Sequence, residues 1–246
     1  MEMHYFILVG FIAQLIDGSL GMAYGVCSTT ILSIMGIPIK IASASVHTAE
    51  VFTTLISGIS HWKARNIDWV IFKKLVILGS IGGLIGTFVL AFSINDFIQP
   101  VVNVYLIIMG IKIISRAIIN KKMKENPPKN QLLQVGFFGG CLDALGGGGW
   151  GPIVTSTMVA TGYPTRYTIG SVNLAEFFVT LVQSFSFSLF VGIEEYFHII
   201  VGLAIGGCLA APLAAYMCKR VPEKKTMLIV GILIILLNLE NLLFLF

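Results

Sequence analysis

Residues 10–60 recur, without a gap, as residues 136–186. At that offset of 126 (136 − 10), 16 of 51 positions are identical. Asp17 falls on Asp143, Gly21 and Gly25 on Gly147 and Gly151, and Thr29 on Thr155. Gly36-x-Pro38 falls on Gly162-x-Pro164, and Ala49-Glu50 on Ala175-Glu176. Shared apolar composition alone would not pair two carboxylates. A fixed repeat decides architecture before any local propensity does, because the chain must build two like units and pack them together.

The surroundings of those units are lipid. Hydrophobic residues make up 56% of the chain and charged residues 11%. Apolar runs of about 20 residues recur throughout, the length needed to span a bilayer. The first run is not read as a signal peptide, because its internal copy marks it as structural. The net charge of +4 fits basic loops facing anionic lipid, and no nucleic-acid partner is expected. The four cysteines show no C-x-x-C spacing and read as small packing residues. No zinc-ligand spacing, nucleophile elbow or phosphate loop is present, so no enzyme, metal or cofactor is expected.

Apolar segments run over about 4–35, 41–60, 70–93, 97–119, 132–161, 167–192, 196–217 and 226–246. The first and fifth hold about 30 residues, too long for one crossing and too short for two. Each is broken by a glycine-rich stretch that begins at an aspartate: Asp17 to Gly25, and Asp143 to Gly151. If both double back on the side they entered, 15 of the 16 Lys and Arg share one face and only Lys40 lies opposite. If all eight segments cross, the split is 10 to 6. The positive-inside rule favours the first arrangement. The predicted fold is therefore an all-α polytopic membrane protein of two inverted repeats. Each repeat is a broken re-entrant helical hairpin plus three transmembrane helices. The first repeat spans 1–119, a cytoplasmic linker 120–130 and the second repeat 131–246. A multi-pass protein of a prokaryotic cell membrane is expected, with both termini outside. A homo-oligomer is compatible with this layout.

Irregular backbone at membrane depth is tolerated only inside protein or along a wet cavity. The second limbs, near 25–35 and 151–161, would aim helix N-termini at the midplane, a favourable place for a small anion. The candidate substrate-binding residues are Gly21, Gly25, Ser28, Thr29, Gly147, Gly148, Gly149, Gly151, Thr155 and Asn173. Close helix packing is the alternative use for these glycines. Glu50 and Glu176 lie mid-segment on polar stripes: Ser43, His47, Glu50, Thr54 and Ser57, and Asn173, Glu176, Thr180 and Gln183. Intramembrane acids are costly and face a cavity or a partner helix. The candidate coupling or gating residues are His47, Glu50, Asp17, Asp143 and Glu176. His47 lies one turn from Glu50 and could share a proton with it. Asp17 and Asp143 could instead cap the second limbs. Tyr105, Trp62 and Trp69 read as an aromatic belt. The small-residue runs Gly79-x-x-x-Gly83 and Gly202-x-x-x-Gly206 read as helix contacts.

The second copy carries Gly147-x-x-x-Gly151-Pro152, Gly162-x-Pro164 and Gly170-Ser171, and the first carries Gly21-x-x-x-Gly25, Gly36-x-Pro38 and Ala44-Ser45. This doubled pattern resembles the TauE/SafE-type sulfite exporters over nearly the whole chain. Two departures are Met22-Ala23-Tyr24 where the pattern favours glycines, and Val26 where the second copy has Pro152. The resemblance implies transport of a small sulfur-containing anion such as sulfite, thiosulfate or an organosulfonate, and leaves coupling to protons open. The competing readings are a cation or metal-ion carrier built on Asp17, Glu50, Asp143 and Glu176, and a membrane scaffold without transport.

Overall fold

The computed structural model describes residues 3–20, 22–93, 95–118, 131–155, 157–158, 163–191, 196–217 and 223–243. Nine α-helices are described: α1 (Met3–Leu20), α2 (Tyr24–Ile34), α3 (Ile39–Lys63), α4 (Trp69–Phe92), α5 (Asn95–Ile118), α6 (Gln131–Gly146), α7 (Thr165–Phe190), α8 (Phe197–Met217) and α9 (Glu223–Leu243). A π-helical turn, Gly151–Thr155, comes after α6. Here the structure departs from the expected α-helical start of the second limb. Residues 156 and 159–161, which complete that limb in the sequence reading, lie outside the described residues.

The outside is apolar, and the interior holds buried polar side chains as well as a hydrophobic core. Side chains such as Val70, Ile77, Phe88 and Phe185 are exposed, while Ser43, His47, Glu50, Thr54 and Ser57 are buried. Among the described residues, three helical stretches are long and apolar enough to cross a membrane by themselves: Trp69–Phe92, Tyr167–Phe190 and Phe197–Ala214. α3 has the length, at 25 residues, but carries the buried polar stripe.

Local chemistry sets the helix ends. Gly36, at φ +80°, lies just past the last turn of α2. Ile37 N donates to Leu32 O and Gly36 N to Ser33 O, both at 3.0 Å. This pair of bonds is a Schellman closure, which needs the left-handed conformation glycine adopts freely. Pro38 then occupies the N-cap of α3. The second repeat makes the matching bond, Tyr163 N to Met158 O at 3.1 Å, and Pro164 caps α7. In the first repeat Gly-x-Pro is thus a helix stop and then a helix start. Asp68 caps α4 by accepting from Val70 N at 2.8 Å and Ile71 N at 3.2 Å. Lys40 donates to Ala91 O at 2.9 Å and to Ser93 O, placing its charge on the negative end of α4.

Packing mirrors the repeat. α1 lies along α8, and its counterpart α6 lies along α4. α3 packs on α7, α5 on α9, and α2 on α9 while the π turn packs on α5. Each broken segment is therefore held by a long helix of the other half. Glycines set the closeness. A Cβ on Gly206 would lie 1.9 Å from Ile7 O, and one on Gly82 would lie 2.0 Å from Phe137 O. The registers give directions. Gly202 meets Met3 and Phe6 and Gly18 meets Ala214, so α1 and α8 run the same way. Gly82 meets Phe137 and Gly86 meets Cys141, so α4 and α6 also run the same way. Gly79 meets Val179 and Gly83 meets Gln183, so α4 and α7 are parallel too. Thr48 meets Ser184 and Ser57 meets Asn173, so α3 and α7 are antiparallel.

Candidate functional site

The two breaks meet. A Cβ built on Gly25 would lie 2.6 Å from Gly148 Cα, and one on Gly148 would lie 2.2 Å from Val26 N. Only glycine admits so close a backbone crossing. Gly147, Gly148 and Gly149 all have positive φ, at +64°, +151° and +157°. The first break turns instead at Ala23, a non-glycine at φ +96°. Thr29 donates its hydroxyl to Gly147 O, tying α2 to the second break.

Both predicted aspartates cap the backbone just beyond their own break. Asp143 Oδ1 accepts from Trp150 N at 2.8 Å, and Asp17 Oδ1 accepts from Tyr24 N at 3.4 Å. The spacing of seven residues is the same in both halves (150 − 143 and 24 − 17). The two differ in their other partners. Asp143 Oδ2 also accepts from Gln183 Nε2 at 3.0 Å and faces His47 Nε2 at 3.1 Å.

His47 pairs with Asp143 across the two halves, not with Glu50 as the helical spacing proposed. Its Nδ1 lies 2.7 Å from Ser43 O. A carbonyl only accepts, so Nδ1 carries a hydrogen. One further proton fits between Nε2 and Asp143 Oδ2, on one atom or the other. With that proton in place the pair is an imidazolium–carboxylate or an imidazole–carboxylic acid, and its charges sum to zero either way. Ser43 Oγ reinforces the crossing by donating to Ala144 O at 2.8 Å. The one-turn spacing on α3 made Glu50 a natural partner, and only the packing of α6 against α3 supplies the nearer acid.

Around the crossing lies a narrow crevice walled by Asp17, Tyr24, Gly25, Val26, Glu50, Asp143, Gly149, Gly151, Pro152 and Glu176, with Ala23. It is closed in this conformation, with no room for a water-sized sphere. All four predicted acids line it. Of the predicted substrate-binding residues, Gly25, Gly149 and Gly151 line it as well. Gly147 and Gly148 form the crossing behind it. Gly21 lies outside the described residues. Ser28 Oγ and Thr155 Oγ1 are buried without a hydrogen-bond partner and are not part of this wall. Asn173 is a helix-to-helix contact: its Oδ1 accepts from Ser57 Oγ at 2.7 Å and its Nδ2 donates to Ile169 O at 3.1 Å. Glu50 Oε2 is buried and unpartnered.

Several contributors escaped the sequence reading. Tyr105, expected in an interfacial belt, reaches into the second break instead. Its hydroxyl donates to Gly148 O at 3.3 Å, and a Cβ on Gly149 would lie 1.9 Å from that hydroxyl. Trp62 and Trp69 are exposed, as a belt requires. Trp150 is fully buried and donates its indole N–H to Val172 O at 3.3 Å, in a niche left by Gly79. Tyr24, its repeat counterpart, donates its hydroxyl to Leu203 O at 3.2 Å. The pairing of aromatics at 24 and 150 was the signal for these two. Nothing in the sequence marked Tyr105.

The chain is similar to known proteins. A family model described as "Sulfite exporter TauE/SafE" matches residues 6–240. A "Probable membrane transporter protein YtnM" of Bacillus subtilis (strain 168) is 38% identical over 244 residues, covering 96% of this chain and 81% of the relative.

Proposed function

The chain belongs to the TauE/SafE sulfite exporter family and is a membrane transporter, and we propose that it is a secondary carrier of a small sulfur-containing anion whose site is the crevice between the two breaks. The observation that carries this reading is the backbone crossing of Gly25 and Gly148, with all four intramembrane acids around it. Irregular backbone and buried carboxylates are both expensive in a bilayer, and a transport site is where membrane proteins retain them.

In this proposal the halves, 1–119 and 131–246, are inverted, joined by a cytoplasmic linker over 120–130. The antiparallel run of α3 against α7 supports inversion, since these helices are repeat counterparts. The shared direction of α1 with α8 and of α6 with α4 supports it too. α1 and α3 then run the same way, so α2 must double back between them, as a re-entrant hairpin does. The halves exchange two mirrored arrangements to open the crevice to either side. His47, Asp143 and the glutamates are candidates for proton coupling. A metal-ion carrier has less support: among the described residues no group of three or more His, Cys, Asp or Glu is arranged to hold a metal.

The test is flux of sulfite, thiosulfate and a small sulfonate in proteoliposomes, with and without divalent cations. Anion flux insensitive to divalent cations is expected. Divalent-cation flux without anion flux would reverse the assignment.

A further inference from the structure

We infer that Asp17 and Asp143 take their cross-repeat partners in alternation: Asp143 holds His47 and Gln183 here, and Asp17 takes Asn173 and Ser57 in the opposite-facing state. Ser57 and Asn173 are then positioning residues for transport, held on each other in the present conformation. The inference rests on the inverted halves and the crevice proposed above.

The first observation is that like residues make unlike bonds. The repeat offset of 126 carries Asp17 onto Asp143, His47 onto Asn173 and Ser57 onto Gln183. The side chains at 47 and 173 are anchored alike. His47 Nδ1 lies 2.7 Å from Ser43 O, and Asn173 Nδ2 donates to Ile169 O at 3.1 Å. Ser43 and Ile169 are themselves repeat counterparts. Each anchor ties one N–H to the side chain's own helix and leaves its other polar atom to reach outward. The reach then differs. His47 Nε2 meets Asp143 Oδ2 at 3.1 Å, and Gln183 Nε2 donates to the same oxygen at 3.0 Å. Asn173 and Ser57 do not reach Asp17. They bond each other, Ser57 Oγ donating to Asn173 Oδ1 at 2.7 Å. Among the described residues Asp17 accepts only from Tyr24 N, at 3.4 Å. Helix packing shows the cause: α6 reaches α3, whereas its counterpart α1 packs less against α7. Two like halves thus stand in unlike arrangements, as alternating access requires of an inverted repeat.

The second observation is Gln183 Oε1, buried with no partner. A buried amide oxygen left unmatched is costly and calls for a use. The exchange supplies one. When the halves trade arrangements, Gln183 and His47 leave Asp143 and bond each other, as Ser57 and Asn173 do here. The amide donates through Nε2 to a bare imidazole nitrogen, or accepts through Oε1 from an N–H, so it serves His47 in either protonation form. Asp17 gains the Ser57 hydroxyl and the second N–H of Asn173. A carboxyl group accepts whether ionised or protonated, so the exchange requires no particular charge on either aspartate. Three cross-helix bonds (His47–Asp143, Gln183–Asp143 and Ser57–Asn173) are traded for their three counterparts. The two states therefore stay close in energy, as a carrier that visits both needs.

The experiment measures the α1–α7 distance by double electron–electron resonance, on the full-length protein in nanodiscs. Spin labels are placed on Ile12→Cys and Leu181→Cys, exposed positions of the two helices, with the native cysteines replaced. Two distances are expected, the shorter belonging to the opposite-facing state. Asp17→Ala loses its cap in both states but its cross-repeat partners only in that one, and should deplete the shorter distance at least about tenfold. Asp143→Ala should enrich it by a similar factor. Ser57→Ala and Asp17→Ala should change the ratio non-additively, by at least about threefold, because they remove the same bond, although no bond joins them in the present conformation. Additive effects overturn the assignment of Ser57. A single distance in the unsubstituted protein, or a ratio that neither aspartate variant moves, overturns the alternation, and the first of these decides the question even if a variant fails to fold. The measurement needs no substrate. Failure of the sulfur-anion assignment therefore shows in flux alone, and failure of the exchange shows in the distances.

Discussion

Gly148→Ala tests whether the contact between the two breaks is as tight as the geometry requires. The added Cβ would lie 2.2 Å from Val26 N and 2.3 Å from the Gly25 carbonyl carbon. Ordinary contacts between carbon atoms are about 3.5–4.0 Å, so α2 and the second break must separate by more than about 1 Å. Overpacking of this kind costs about 1–3 kcal/mol. Holding a non-glycine residue at φ +151° costs about 1–3 kcal/mol more. The expected destabilisation is about 2–6 kcal/mol. Gly36→Ala is the control. It also has positive φ, at +80°, but no atom lies within 4 Å of its Cβ position. It should lose only about 1–2 kcal/mol. Unfolding in detergent and initial flux in proteoliposomes report both effects. Gly148→Ala should lower flux at least tenfold, because the crevice wall moves with the crossing. Gly25→Ala strains the same contact from the other side, at 2.6 Å from Gly148 Cα. The double variant should therefore cost less than the sum of the singles. If Gly148→Ala matched Gly36→Ala in stability and in flux, the tight crossing would not be a real constraint.

Four further outcomes are expected. In a cysteine-free background, Thr29→Cys with Gly147→Cys should crosslink once α2 and the second break part slightly, because the Gly147 Cβ position lies 3.1 Å from Thr29 Cβ, a little closer than the about 3.5–4.5 Å a disulfide spans; flux should stop and return on reduction, and flux unaffected by complete crosslinking would show that the breaks need not part. His47→Ala should lower stability by about 1–3 kcal/mol by leaving the buried Asp143 oxygen short of a donor, whereas His47→Asn should recover part of that loss; equal losses on unfolding would place the cost in packing alone. Lys40→Met should cost about 0.5–1 kcal/mol by uncapping α4, with flux unchanged, and a loss of flux beyond the loss of folded protein would assign Lys40 to transport. A cysteine at Lys122 should resist an impermeant reagent added to intact cells and react after permeabilisation; labelling from outside would overturn the proposed topology.

The repeat was legible because duplication leaves identities at one offset, and the membrane setting because lipid tolerates few charges. The glycine breaks, the Gly-x-Pro punctuation and the buried polar stripes come from local rules: backbone conformation, helix capping, and the cost of an acid in hydrocarbon. Those rules identify which residues are costly to place and therefore have a use. Tertiary structure decided which of them meet. His47 stands one turn from Glu50 in the sequence, yet it bonds to Asp143, 96 residues away, because α6 packs along α4 and reaches α3. Tyr105 looked interfacial until α5 carried it against Gly148. Asn173, a candidate binding residue by its place on the polar stripe, accepts from Ser57 of α3. A side chain's partners across helices are set by register and crossing, to within about an ångström or two, and helical periodicity holds no information about the neighbouring helix.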